Sequence, residues 1–376
     1  MLEASTVELL PADHAQAILI GRVLLDAGPT PVLIRDGIVH DVSATAATVA
    51  DLLEREDLAI VTGPRICGVE ALGTANGPRL LAPIDLQCIK ACGVTFALSA
   101  IERVIEERAR GDADKASEIR GDLEAKVGSG IRSVVPGSAE AASLKAALID
   151  AGMWSQYLEV AIGPDAEVFT KAPVLSAVGW GDDIGIRSDS DWNNPEPEVV
   201  LIVDSKGTPR GATLGNDVNL RDFEGRSALL LGKAKDNNAS TALGPFIRLF
   251  DDHFSMNDVR SAVVDLTIDG PEGYQLSGTN KMSEISRDPT DLVRQALSEH
   301  QYPDGFALFL GTLFAPVQDR DHPGRGFTHK EGDVVRIATP KLGALVNRVT
   351  TSKAAAPWEF GIRDLMRNLA ARGLLA

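Results

Sequence analysis

An α+β fold rich in strands is what this sequence predicts, with a small N-terminal domain over residues 1–83 and a larger domain over residues 84–376. Three observations lead there. Apolar, β-branched runs recur through the second half, among them VFTKA, VVLIV, SAVVDLTI, FALFLGTLFAP and DVVRIATP. Such runs, separated by Gly, Pro, Asn and Asp, read as strands and turns. The regular strand–helix alternation of a parallel α/β domain is missing. A chain of 376 residues also exceeds one average domain, and GPRLLAP, residues 77–83, reads as a linker.

In chain order, residues 16–41 give short strands separated by Gly-Pro and Asp-Gly turns, and TAATVADLLERED then carries helical periodicity. A charged amphipathic helix is expected over residues 99–110, SAIERVIEERAR, followed by helical stretches over 114–126 and 138–151. Between the last two, GSGIRSVVPG reads as a loop. The segment GWGDDIG, Gly179–Gly185, approaches a dinucleotide-binding fingerprint, but its last glycine comes one residue late. No strand-to-helix passage surrounds it, so that function is set aside.

The net charge of −16 argues against nucleic acid and anionic membranes as partners. No apolar run approaches the roughly 20 residues of a membrane span. The opening MLEASTVELLPADHAQ is acidic and lacks the pattern of a secretion signal. Three cysteines, Cys67, Cys88 and Cys92, cannot all pair, which favours a reducing cytoplasm. Cys88 and Cys92 have no histidine close in sequence, and zinc is not expected there.

The stretch NPEPEVVLIVDSKGTPRGATLGNDVNLRD, Asn194–Asp222, carries the chemistry. Glu196 and Glu198 are two residues apart in a strand and so project to one face. Reflection through a turn centred between Gly207 and Thr208 places Asp217 across from Glu198, give or take a bulge. Three carboxylates on one face repel each other, and a hard divalent cation, Mg²⁺ or Mn²⁺, removes that penalty. The competing reading is a solvated strand end bearing surface acids.

These residues resemble the fumarylacetoacetate hydrolase family, which carries E-x-E followed by Asp in a segment like ND-x-x-x-RD. Here those are Glu196, Glu198 and Asp217 within GNDVNLRD. Lys235 ahead of Gly244-Pro245, Lys171 in VFTKA, Thr312 in FALFLGT and the closing GDVVRIATPKLGALVNRV continue the likeness over most of residues 90–350. The resemblance implies a mixed β-roll as catalytic domain and a divalent metal that holds a 2-oxo acid through its carboxylate and keto oxygens. It also implies substrate-binding parts for Lys171, Arg221 and Thr312, and a catalytic part for Lys235, at the enolate oxygen or the substrate carboxylate. Lys235 as a surface lysine beside Lys233, and Arg221 paired with Asp222, are the plainer alternatives.

The family's hydrolases carry a motif like G-x-N-Y-x-x-H-x-x-E, whose His–Glu pair activates water. This sequence reads GVTFALSAIE, with Ser99 in the place of the histidine and Glu102 retained. An unassisted serine is a poor base at neutral pH, whereas Glu102 can still move a proton. The same S-x-x-E is also a capping box, in which Ser99 and Glu102 only start a helix. Loss of the histidine favours lyase over hydrolase chemistry. The whole chain most resembles the family's sugar-acid dehydratases, which act on 2-keto-3-deoxy-pentonates and yield 2-oxoglutarate semialdehyde. The expected partner is therefore a small 2-oxo sugar acid, in a homodimer or homotetramer. An acylpyruvate or diketone hydrolase, a decarboxylase or isomerase on the same metal, and a non-catalytic sugar-acid sensor are the alternatives.

Overall fold

The computed structural model describes residues 9–97, 100, 134–150, 152, 154–313, 316, 318–321 and 326–375. The helices expected over 99–110 and 114–126 lie outside them. The third expected helix is observed at Ala139–Asp150.

The N-terminal strands are β1 (Leu19–Leu25), β2 (Gly28–Arg35), β3 (Ile38–Asp41), β4 (Arg65–Gly68), β5 (Arg79–Leu81) and β6 (Cys88–Gly93). β2 and β3 are joined through Asp36 and Gly37, both at positive φ, as a two-residue hairpin turn requires. The turn between β1 and β2 falls at Asp26-Ala27, and the expected Gly28-Pro29 turn instead begins β2. Thr48 and Asp51 form a capping box on the short helix Val49–Leu53, and the buried Asp85 accepts from the N–H groups of Val49 and Ala50.

The second half supplies β7 (Glu167–Ala172), β8 (Asp183–Ile186), β9 (Asn193–Asn194), β10 (Pro197–Val203), β11 (Pro209–Asp217), β12 (Asn219–Leu220) and β13 (Thr241–Leu249). It continues with β14 (Val263–Asp269), β15 (Gln275–Lys281), β16 (Phe306–Phe309), β17 (Val334–Thr339) and β18 (Gly343–Thr351). One large sheet runs β4-β3-β2-β1-β13-β11-β10-β16-β6-β7, with β5 added on β1. It crosses residue 83 without a break, because β1 pairs with β13. A five-stranded sheet runs β15-β14-β17-β18-β8. Most pairs are antiparallel; β16 with β6 and β18 with β8 are parallel. The fold is β-rich α+β, as expected.

The hydrophobic pattern explains the layering. β10 lies in the middle of the large sheet and all seven of its residues are buried, so it reads as a continuous apolar run. Val199, Leu201 and Val203 join the core shared with Val264, Leu266, Ile337 and Leu345 of the five-stranded sheet. Val200 and Ile202 face the other way, onto Leu52, Ile89, Ile247 and Phe309. β14, by contrast, alternates exposed and buried residues because one of its faces meets solvent. Glu196 and Glu198 share the parity of Val200 and Ile202, so the carboxylates extend that second face of β10.

Candidate metal centre and active site

The β10–β11 hairpin builds the centre. Its register sets Glu198 against Gly215 and Pro197 against Asn216, and the Asp217 N–H donates to the Glu196 carbonyl at 3.1 Å. Asp217 therefore stands across from Glu196, two residues from the position that reflection about Gly207–Thr208 predicts. The Asp204 carboxylate causes the shift. It accepts from the N–H groups of Lys206 and Thr208, draws the turn toward its N-terminal side, and is preceded by a bulge at Ile202/Val203. A shift of two residues keeps Asp217 on the same face, so the cluster survives the correction.

Glu196, Glu198 and Asp217 are all buried and present oxygens within 4.8 Å of one another. Gly215, opposite Glu198, must lack a side chain: a Cβ there would lie 2.3 Å from the Phe309 ring. Gly311, just beyond β16, donates its N–H to Glu198 Oε2 at 2.6 Å. It holds φ +89, and a Cβ would meet Thr95 Oγ1 at 2.2 Å, so glycine is required here. Thr312, half-buried, follows it directly. Asn280 of β15 donates to the Pro197 carbonyl and accepts from Leu313 N–H, which ties the second sheet to both sides of the centre.

Two lysines partly neutralise the acids. Lys235, at the end of the helix Leu231–Lys235, donates to Glu196 Oε2 at 2.5 Å and to Asp217 Oδ2 at 3.1 Å. Lys171 of β7 is fully buried, with its ammonium 3.1 Å from Asp217 Oδ1 and bonded to the carbonyls of Lys235 and Ser240. Its contacts thus hold Asp217 and the Lys235 helix from within the protein. Burial lowers the Lys171 pKa, with Asp217 opposing. Burial also works to lower that of Lys235, but Asp217 and Glu196 outweigh it and keep the ammonium charged. Burial, then the charges of Asp217 and Glu196, raises Glu198 well above 4.5. Burial likewise raises Glu196, against the pull of Lys235.

Counted formally, the three carboxylates exceed the two ammonium groups by one negative charge. An all-oxygen donor set of this kind fits a hard divalent cation, and the raised Glu198 pKa marks where the cation's charge is wanted. Arg221, four residues past Asp217, is buried and lies over the Trp192 ring at 4.7 Å. Asp222 instead accepts from Ser190 Oγ and the Asp191 N–H. Ser99 and Glu102 lie outside the described residues. Ahead of them in the chain, Thr95 donates to the Leu310 carbonyl at 2.7 Å and the Ala97 N–H donates to Ser286 Oγ at 2.6 Å, which ties this segment to the Gly311 turn that holds Glu198.

Sequence reasoning passed over Gly311 N–H, Asn280, and a buried cluster of Arg320, His329 and Asp333. Asp333 accepts from both Arg320 Nη atoms at 2.7 Å and lies 3.0 Å from His329 Nδ1. The His329 N–H in turn donates to Asn193 Oδ1, bracing the strand that leads into Glu196. The i,i+4 spacing of His329 and Asp333 in FTHKEGD was the available signal.

A buried tricarboxylate centre on a strand hairpin, backed by two lysines in a two-sheet β-rich frame, defines a class of β-roll proteins whose acidic centre could hold a divalent metal. This chain belongs to the fumarylacetoacetate hydrolase family: residues 151–350 match its C-terminal domain. It is 31% identical over 202 residues to a Haloferax volcanii protein named as a probable 2-keto-3-deoxyxylonate dehydratase, covering 54% of this chain and 66% of the relative. Over 183 residues it is 30% identical to the 2-dehydro-3-deoxy-D-arabinonate dehydratase of Saccharolobus solfataricus, covering 49% and 58%. Each match spans less than two thirds of the relative. The solved structure of a 2-keto-3-deoxy-D-arabinonate dehydratase complexed with magnesium and 2,5-dioxopentanoate superposes with a TM-score of 0.64. That similarity covers 89% of this chain and 99% of the other at 22% identity, and speaks to the fold.

Proposed function

We propose that this protein is a divalent-metal-dependent dehydratase that converts a 2-keto-3-deoxy-pentonate to 2-oxoglutarate semialdehyde. The observation that carries the reading is the buried Glu196–Glu198–Asp217 cluster, whose oxygens gather within 4.8 Å beside two lysines. The likeness to the two named dehydratases supports the choice of substrate.

Glu196, Glu198 and Asp217 would hold Mg²⁺ or Mn²⁺, which when bound supplies electrostatic stabilisation to the carboxylate and keto oxygens of a 2-oxo acid. Lys171 acts through Asp217, whose carboxylate it orients. Lys235 remains protonated and offers a positive charge to the oxygen on which negative charge develops. Glu102 removes a C3 proton and returns it to the C4 hydroxyl, which departs as water. Migration of the double bond toward C5 and tautomerisation then give the aldehyde. Ser99 assists Glu102, and Arg221 and Thr312 border the substrate.

An acylpyruvate hydrolase is the second reading, and Ser99 in place of the family histidine weighs against it. A coupled assay decides between them. Incubation with a 2-keto-3-deoxy-pentonate should release 2-oxoglutarate semialdehyde, detected with a semialdehyde dehydrogenase, while acylpyruvate cleavage is slow or absent. Acylpyruvate cleavage at an equal or higher rate would overturn the dehydratase reading.

A further inference from the structure

The hairpin register continues beyond the carboxylates. Asn219 of β12 pairs with Asn194 of β9 in step with Glu196 opposite Asp217 and Glu198 opposite Gly215. Directly paired residues, and residues two apart along a strand, share one face. The face therefore carries Glu198 and Gly215, then Glu196 and Asp217, then Asn194 and Asn219. Just beyond this pairing, Arg221 at the start of the next helix lies over the Trp192 ring at 4.7 Å. Lys235, bonded to both Glu196 and Asp217, shows that the paired carboxylates do meet.

The asparagine pair is the anomaly. Both residues are fully buried. Asn194 donates its amide to the Pro195 carbonyl, but among the described residues its Oδ1 has no hydrogen-bond partner, and neither Oδ1 nor Nδ2 of Asn219 has one. Leaving a buried amide unpaired costs roughly 1–3 kcal/mol per group, so a stability role for the pair is a poor explanation. Two carboxamides instead offer a donor and acceptors to a ligand hydroxyl.

We infer that Asn194 and Asn219 form the subsite for the distal hydroxyl of the substrate. This deepens the proposed function and rests on it for the placement of the 2-oxo acid head at the carboxylates. Successive pairs on one face are about 6.8 Å apart. From a keto carbon at the level of Glu196 and Asp217, an extended chain carries the C5 hydroxyl oxygen about 5 Å toward the next pair, and a hydrogen bond of about 2.8 Å closes the remaining distance to the asparagine amides. The subsite selects a hydroxylated five-carbon 2-oxo acid over an alkyl 2-oxo acid of equal length, because an alkyl end leaves the amides unpaired.

Calorimetric titration of the Mg²⁺-loaded protein with 5-hydroxy-2-oxopentanoate and with 2-oxopentanoate tests this, since neither ligand has a C4 hydroxyl to lose. The wild type should bind the hydroxylated acid about tenfold more tightly. Asn219→Leu should bring the two affinities together while leaving those for 2-oxopentanoate and Mg²⁺ near wild type. Asn194→Leu gives a second reading should the first variant fail to fold. Equal affinities in the wild type, or a preference retained in both variants, would overturn the inference. Turnover of a 2-keto-3-deoxy-pentonate by the wild type, followed in parallel, reports separately on the proposed reaction.

Discussion

Replacing Glu198 with glutamine should move metal affinity and stability in opposite directions. Two unit charges 4.8 Å apart repel by roughly 3.5 kcal/mol at an effective dielectric of about 20. Glu198 faces two such carboxylates and is partly relieved by Lys235, which leaves its pKa well above 4.5. Glutamine keeps the shape and can still accept from Gly311 N–H through its amide oxygen, but carries no charge. The metal-stripped variant should therefore equal or exceed the wild type at pH 7.5, by about 1–3 kcal/mol after the lysine's share is subtracted. The pH dependence follows from the direction of the shift. A carboxyl whose folded pKa is raised stabilises the fold below its unfolded value and loses that contribution as pH rises through the folded one. The variant's advantage should thus be absent below about pH 4.5 and grow upward from there. Urea unfolding of both proteins in EDTA across this window gives the stability difference. Titration with Mn²⁺ at pH 7.5 should show affinity lower by about 10² or more, since a ligand charge is gone. A metal-stripped variant less stable than wild type at pH 7.5, or an unchanged Mn²⁺ affinity, would refute the reasoning.

Glu102→Gln should lower turnover by about 10² while metal affinity holds, whereas a residue that serves only in a capping box would tolerate glutamine with little change. Deuterium exchange at C3 of a bound 2-oxo acid, followed by NMR, isolates the step; exchange at the wild-type rate would leave Glu102 as a cap alone. Gly311→Ala should cost more than about 1 kcal/mol in denaturant unfolding, from positive φ and the approach to Thr95 Oγ1, and should weaken Mg²⁺ binding through Glu198. Unchanged Mg²⁺ affinity in that variant would detach the Gly311 turn from the centre. Asp333→Ala strips the acceptor from buried Arg320 and His329 and should destabilise by about 3 kcal/mol, with the C-terminal sheet unfolding more readily in urea. A loss below 1 kcal/mol would show that Glu272, the other partner of Arg320, suffices.

Much of this was legible in the residues. VVLIV reads as an apolar strand, and the two-residue period that puts Glu196 and Glu198 on one side follows from strand geometry alone. What the sequence hid was the register, because a side chain set it: Asp204 tightens the turn and moves Asp217 from Glu198 to Glu196. Pairing between distant segments was hidden too. Nothing local in GRVLL reveals that β1 will lie against β13, and nothing in SGTNK that Asn280 will bridge Pro197 and Leu313. Lys171 was singled out by its neighbours in sequence, yet its burial behind Asp217 appears only in three dimensions.

The most direct test of the central claim, that dehydration runs at the hairpin carboxylates with a divalent cation, is the rate of semialdehyde release by metal-stripped protein as Mg²⁺ is added back. The account predicts no release in EDTA and a saturable return of activity with Mg²⁺, or with Mn²⁺, as expected of an oxygen-only site. Full activity in a rigorously metal-free preparation would contradict it.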